Sequence, residues 1–128
     1  MNYYDDNLIE YGTDKVATDG EPLTLKTAEV TDSCSMKFAA GTNGFKGGDS
    51  GHGCRAFISL KDTGGCNLEV IDDTNSADIL CGGYVKISTG GDAELRLLID
   101  GLRWMADTLE EQAHIEKIKK VQKSIGIV

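Results

Sequence analysis

Apolar and polar residues alternate along much of the first 89 positions, which is the pattern expected of half-buried β-strands. The predicted strands lie at 23–27, 34–40, 55–60, 68–71 and 79–88. The short link at 31–33 makes the first two of them a predicted hairpin. The last strand is interrupted by Gly82 and Gly83, which indicates a bulge or a close approach of another backbone segment.

The first 20 or so residues are polar and poorly periodic, and we assign no strand to them. Their apolar side chains could anchor the segment against the core; they are Tyr3, Tyr4, Leu8, Ile9 and Tyr11. The pair Asp19-Gly20 is a tight-turn signal that separates this segment from the first predicted strand.

The spacing of apolar residues becomes helical after Gly91. A seam at three- and four-residue intervals is formed by Leu95, Leu98, Leu102, Met105 and Leu109. Asp92 is the predicted N-cap, and Glu94 adds negative charge to the first turn. The seam loses phase near 110–112 and resumes at Ile115.

These patterns predict one α+β domain over 1–128, with an antiparallel β-sheet N-terminal part at about 1–89. One long or two consecutive C-terminal α-helices follow at about 92–125. A single straight helix over 92–124 would be about 50 Å long, which exceeds the expected domain diameter of about 28 Å. We therefore expect the helix to bend, or to project and form a homo-oligomer through its apolar face.

The net charge of −8 disfavours binding to duplex nucleic acid, but a local group of N–H donors and arginines can still hold a small anion. The start of the chain lacks an apolar signal-peptide core, and no run approaches the roughly 20 apolar residues of a membrane span. We therefore expect a cytoplasmic protein without membrane contact.

The four cysteines form no C-x-x-C pair, so we expect free, mostly buried thiols rather than a zinc site. A disulfide between neighbouring strands is the alternative. Neither a metal nor a cofactor is predicted.

Candidate chemistry is concentrated in the segment Gly41–Arg55, which has six glycines in its first thirteen residues. Glycines at this density let backbone N–H groups converge on a ligand. Lys46 and Arg55 supply positive charge, and Phe45 could stack on a planar base. The order of a P-loop is absent, and no βαβ unit surrounds the segment.

The same segment has two other interpretations. Asp49 and His52 could form an acid–base pair of a small hydrolase. Alternatively, both residues stabilise the loop and the loop is purely structural. The sequence favours this structural interpretation over catalysis, so we predict no catalytic residues.

Arginine is scarce, which draws attention to Arg96 and Arg103 on the predicted helix. Seven residues apart, they share one helix face beside the apolar seam. They could pair with Asp100 or Asp107 one turn later, or one of them could reach an anionic ligand across a subunit interface.

The segment 42–55, followed at a distance by Gly90–Leu95, resembles small phage proteins, and within these the first type of Thoeris anti-defence protein. This resemblance implies a β-sheet followed by helices, an oligomer, and sequestration of cyclic ADP-ribose signalling molecules without cleavage, as by a sponge. Some members of that family also hold cyclic oligonucleotides. The pockets of the family use arginines and an aromatic residue from neighbouring subunits. The matching positions here are Arg55, Arg103 and, at the end of the last strand, Tyr84.

The predicted function is therefore non-catalytic binding of a cyclic nucleotide immune signal, which would counteract bacterial anti-phage defence. The alternative is an acidic protein–protein inhibitor or assembly protein of a phage, with a structural glycine-rich loop. The candidate ligand-binding residues are Asn43, Phe45, Lys46, Gly47, Gly48, Asp49, His52, Arg55, Tyr84, Arg96 and Arg103.

Overall fold

The computed structural model describes residues 8–18, 22–48, 51–71, 79–80 and 83–114. Its elements are β1 (Leu8–Val16), β2 (Leu23–Thr31), β3 (Ser35–Thr42), β4 (Arg55–Gly64), β5 (Val70–Ile71), β6 (Ile79–Leu80), β7 (Tyr84–Gly90) and α1 (Asp92–Gln112). Five strands form one antiparallel sheet in the order β1-β2-β3-β4-β7, and β5 pairs with β6 in a separate two-stranded sheet. The predicted α+β layout and the β2–β3 hairpin are confirmed.

The strand β1 is the main element that the sequence did not predict. It pairs along its whole length with β2, from Leu8 opposite Thr31 to Val16 opposite Leu23. Its side chains remain largely outside the core, since Tyr11 is 79% exposed and Leu8 is 62% exposed. The expected anchoring by these two side chains is therefore wrong: on this edge strand, backbone pairing with β2 replaces side-chain burial. Tyr3, Tyr4 and the turn at Asp19-Gly20 lie outside the described residues.

Successive side chains of β4 point to opposite faces of the sheet, as its alternation predicts. Phe57 and Ser59 are buried on one face, where Phe57 packs with Leu23 and Leu25. We call this the cavity face, because both cavities described below open on it. Ala56 lies on the opposite face, which we call the helix face, and it packs with Leu95 of α1.

The backbone of Gly83, just before β7, lies close to two other backbone segments. A Cβ on Gly83 would overlap the backbone carbonyl of Leu68, and Gly83 O accepts a hydrogen bond from Asp62 N at 2.9 Å. The close approach predicted for this position is confirmed at Gly83. The single strand predicted over 79–88 is wrong, because its two halves belong to different sheets.

The cysteine thiols Cys34, Cys54 and Cys66 are free, as predicted, while Cys81 lies outside the described residues. Cys54 is completely buried and the other two are half-buried. A hydrogen bond with the Cys34 thiol and burial raise the pKa of Cys66 to about 11. The Cys66 thiol also donates to Ser35 O at 3.2 Å.

The N-cap of α1 lies one residue earlier than predicted. Gly91 is the N-cap, with φ of 117°, and Asp92 is the first helical residue. The seam is buried only at its start: Leu95 is 6% exposed, whereas Met105 is 48% and Leu109 68% exposed. Within the described residues, no helix is both long and apolar enough to span a membrane.

The helix ends at Gln112, where the apolar seam loses phase. His114 follows with a positive φ of 62°. It is exposed, as expected, but it lies beyond the helix rather than on its polar face. The predicted second helical stretch from Ile115 onward lies outside the described residues.

Candidate functional site

The glycine-rich segment is a loop whose two ends are tied together. Thr42 Oγ1 donates to Arg55 O at 2.7 Å, and Asn43 Oδ1 accepts from Arg55 N at 2.8 Å. The amide of Asn43 also donates to Gly53 O at 3.0 Å. Asn43, a candidate ligand residue, therefore bonds through both polar atoms of its side chain to the far end of the loop.

The carboxylate of Asp92 joins this loop to the start of α1. Lys46 N donates to its Oδ1 and Gly47 N to its Oδ2, both at 2.9 Å. These two backbone donors, together with the buried Cys54 thiol, hold the pKa of Asp92 below its usual value. Two N–H groups that we expected to meet an external anion are thus satisfied by an internal carboxylate.

Two glycines make this junction sterically possible. Gly51 has φ of 64°, and a Cβ there would overlap the Asp92 carboxyl group. Gly91 has φ of 117°, and a Cβ there would overlap the Glu94 carboxylate. Both positions require a residue with no side chain and with access to left-handed backbone conformations.

A cleft of about 1040 Å³ opens beside the junction. One wall is the glycine-rich loop, with Gly48, Gly51 and His52. The opposite wall is the end of β7 and the first turns of α1, from Ser88 to Arg96. Its volume is at the upper end of the range of small-molecule sites, about 300–1,000 Å³.

No protein-family model, curated protein or solved structure matches the chain, so this geometry is interpreted without a known relative.

The cleft brings together five of the eleven candidate residues, and five others lie elsewhere. The residues that line it are Gly47, Gly48, His52, Arg55 and Arg96; the residues that do not are Asn43, Phe45, Lys46, Tyr84 and Arg103. Asp49 lies outside the described residues, so its pairing with His52 stays a prediction. Tyr84 is the first residue of β7, not the end of the strand, and it lines a second cavity.

The two cleft arginines differ in how firmly they are held. Arg55 Nη1 donates to His52 O at 2.6 Å and to Cys54 O at 2.9 Å, which fixes one nitrogen of its guanidinium against the loop. Arg96 is an exposed residue of the second turn of α1, and its side chain forms no hydrogen bond or ion pair with the described residues. Arg55 therefore shapes the cleft, and Arg96 is a solvent-exposed cation beside it.

Several lining residues had no signal in the sequence. Ser88 and Thr89 reach the cleft because β7 lies beside β4, with Ser88 opposite Phe57. Glu94 lines the cleft at the helix start, where we had assigned it only a role in helix stability. The sequence could not predict that these residues line the cleft, because their proximity depends on the β4–β7 register.

Proposed function

We propose that the protein is a non-catalytic binding protein whose cleft sequesters a cyclic nucleotide signal of the cyclic ADP-ribose type. The observation that carries this proposal is the mixed lining of the cleft. It combines the guanidinium groups of Arg55 and Arg96 with the carboxylate of Glu94. Guanidinium groups pair with phosphate oxygens, and a carboxylate accepts hydrogen bonds from ribose hydroxyls.

The mixed charge favours a ribose phosphate over a bare inorganic anion. Asp92 also lines the cleft and is negatively charged, but both of its oxygens already accept hydrogen bonds, from Lys46 N and Gly47 N. Glu94 remains in the cleft as an exposed carboxylate, which would repel an anion that has no hydroxyl donor. A ligand that carries both phosphates and sugar hydroxyls can pair with the arginines and with the Glu94 carboxylate.

The way the loop is built supports tight binding of such a ligand. Arg55 is anchored to two carbonyl groups, and the loop backbone is anchored to Asp92. These contacts fix the shape of the wall, which reduces the entropy lost on binding. Together with the resemblance to anti-defence sponges, this supports capture of an immune signal that would otherwise activate anti-phage defence.

Self-association is part of the proposal. The exposed apolar side chains of α1 include Leu97 at 71%, Trp104 at 67% and Leu109 at 68%. An exposed apolar helix surface of this kind is typical of an interface. We propose that a second copy of the chain covers it.

The test is calorimetric titration of the purified protein with cyclic ADP-ribose. We expect wild-type protein to bind, and Arg96→Ala to weaken binding by about 10- to 100-fold, since a hydrogen bond to a charged group contributes about 1.5–3 kcal/mol.

Lys26→Ala is the control, because Lys26 is also an exposed cationic residue but lies on β2 and does not line the cleft. It should bind like wild type. Equal losses in both variants would indicate a general charge effect and contradict the assignment. Absence of binding by wild type to any cyclic nucleotide would instead favour the acidic protein–protein inhibitor.

A further inference from the structure

A second cavity, of about 260 Å³, opens on the cavity face beyond Phe57. Phe57 lines both this cavity and the larger cleft, so its ring lies between them. The second cavity extends over all five strands of the main sheet, and four lysines border it. They are Lys15 of β1 and three lysines of the cavity face: Lys37, Lys61 and Lys86. Its lining includes none of the arginines of the cleft.

The arrangement of the lysines is costly for the folded chain. Lys37 and Lys61 are directly opposite each other on β3 and β4. Lys86 lies opposite Ser59 on the same face, which makes it a diagonal neighbour of Lys61. Like charges directly across an antiparallel pair destabilise a sheet. The chain nevertheless places three of its 13 cationic residues here, while its net charge is −8.

Two of the ammonium groups lie over the same aromatic ring, that of Tyr84. The Nζ atom of Lys61 lies 5.1 Å from the centre of the Tyr84 ring, and that of Lys86 lies 4.8 Å from it. Cation–π attraction at these distances keeps both positive charges at the same side chain. The ring therefore helps to hold together charges that would otherwise separate.

The floor of the cavity is polar as well. The side chains of Thr27 and Ser59 line it and are only 8% and 7% exposed. Two acidic residues are near: Asp14 lines the cavity, and Glu29 lies opposite Lys37. Within the described part of the chain, however, neither carboxylate forms an ion pair with Lys37, Lys61 or Lys86.

We propose that this cavity is a separate anion site that binds a diphosphate group. Three lysines of one sheet face border a small polar hollow and match the charge of a compact polyanion, whose binding would reduce the repulsion between them. The Lys61 and Lys86 ammonium groups would contact phosphate oxygens from the β4–β7 side, and Lys37 from the β3 side. The site goes beyond the proposed nucleotide cleft and does not depend on it.

The probe is inorganic pyrophosphate, titrated calorimetrically into the full-length protein. We expect wild type to bind and Lys61→Ala to weaken binding by about tenfold or more, as expected for loss of a charged hydrogen bond. Lys26→Ala is the matched control, because Lys26 is exposed on β2 between two residues of the cavity face and so points to the helix face.

A second readout separates a binding role from a structural one. Without pyrophosphate, Lys61→Ala should melt at or above the temperature of wild type, because it removes a like-charge contact. With pyrophosphate at a fixed concentration, proteins that retain the three lysines should gain more thermal stability than Lys61→Ala.

Three results would overturn the proposal: no binding of pyrophosphate by wild type, equal weakening by Lys26→Ala, or loss of binding in Arg96→Ala with retention in Lys61→Ala. The last result would place pyrophosphate in the larger cleft. Failure of the nucleotide proposal leaves the expected pyrophosphate results unchanged, so the two proposals fail separately.

Discussion

Replacing Phe57 with alanine is expected to lower the free energy of unfolding by about 3–5 kcal/mol. Phe57 is only 8% exposed and forms one of the two core clusters with Leu23 and Leu25. Few side chains are buried among the described residues, so the void left by the ring has few neighbours to fill it. Urea denaturation followed by circular dichroism measures the change.

The matched control for this substitution is Phe45→Ala. Phe45 is 58% exposed, so the same loss of a ring should change the free energy of unfolding by no more than about 0.5 kcal/mol. If the two variants lose similar stability, the ring of Phe57 is not the centre of the core. The assignment of the cavity face would then be wrong.

Replacing Gly51 with alanine is expected to break the junction between the glycine-rich loop and α1. The added Cβ would overlap the Asp92 carboxyl group, and φ of 64° is unfavourable for alanine. The backbone conformation alone costs about 1–2 kcal/mol, and the overlap adds to this by displacing the carboxylate from Lys46 N and Gly47 N. Urea denaturation and limited proteolysis at the loop both report the loss.

Gly48→Ala is the control for backbone strain. Gly48 has nearly the same φ, 65°, but its Cβ would have open space around it. It should lose only the backbone contribution and keep the loop protected from protease. Equal proteolysis of the two variants would show that Asp92 does not hold the loop.

Acid should weaken the same junction in the wild-type protein. The pKa of Asp92 is lower in the folded state than its usual value of 3.8, chiefly through the N–H groups of Lys46 and Gly47. The stabilisation is therefore fully present above the unfolded pKa and is lost as the pH falls through the folded pKa. The difference in unfolding free energy between wild type and Asp92→Asn should accordingly shrink below about pH 4. A difference that is constant with pH would contradict this role.

Local periodicity was sufficient to predict most of the fold. The alternation after Leu23 and after Arg55 predicts the central strands, and the seam from Leu95 predicts the helix, because side-chain burial follows the period of each element. The same reasoning failed at β1, where both faces of an edge strand are exposed and no alternation is required. It also misplaced the N-cap, because Asp92 bonds to a distant loop instead of its own helix.

The candidate site was predictable only in outline. Glycine density indicated the loop, and the scarcity of arginine drew attention to Arg55 and Arg96. The convergence of Lys37, Lys61 and Lys86 was not predictable, because it requires the register of three strands that are far apart in sequence. The hydrogen bonds of Asp92 were not predictable for the same reason, because their donors are 46 and 45 residues away in the sequence.

The most direct test of sequestration is recovery of the ligand. The protein is incubated with cyclic ADP-ribose, freed of unbound ligand by gel filtration, and checked by native mass spectrometry for its subunit number and bound mass. It is then denatured by heat, and the released small molecule is identified by chromatography and mass spectrometry. We predict a complex of more than one subunit that releases intact cyclic ADP-ribose. Release of only a cleaved nucleotide, or of no ligand at all, would contradict the proposal.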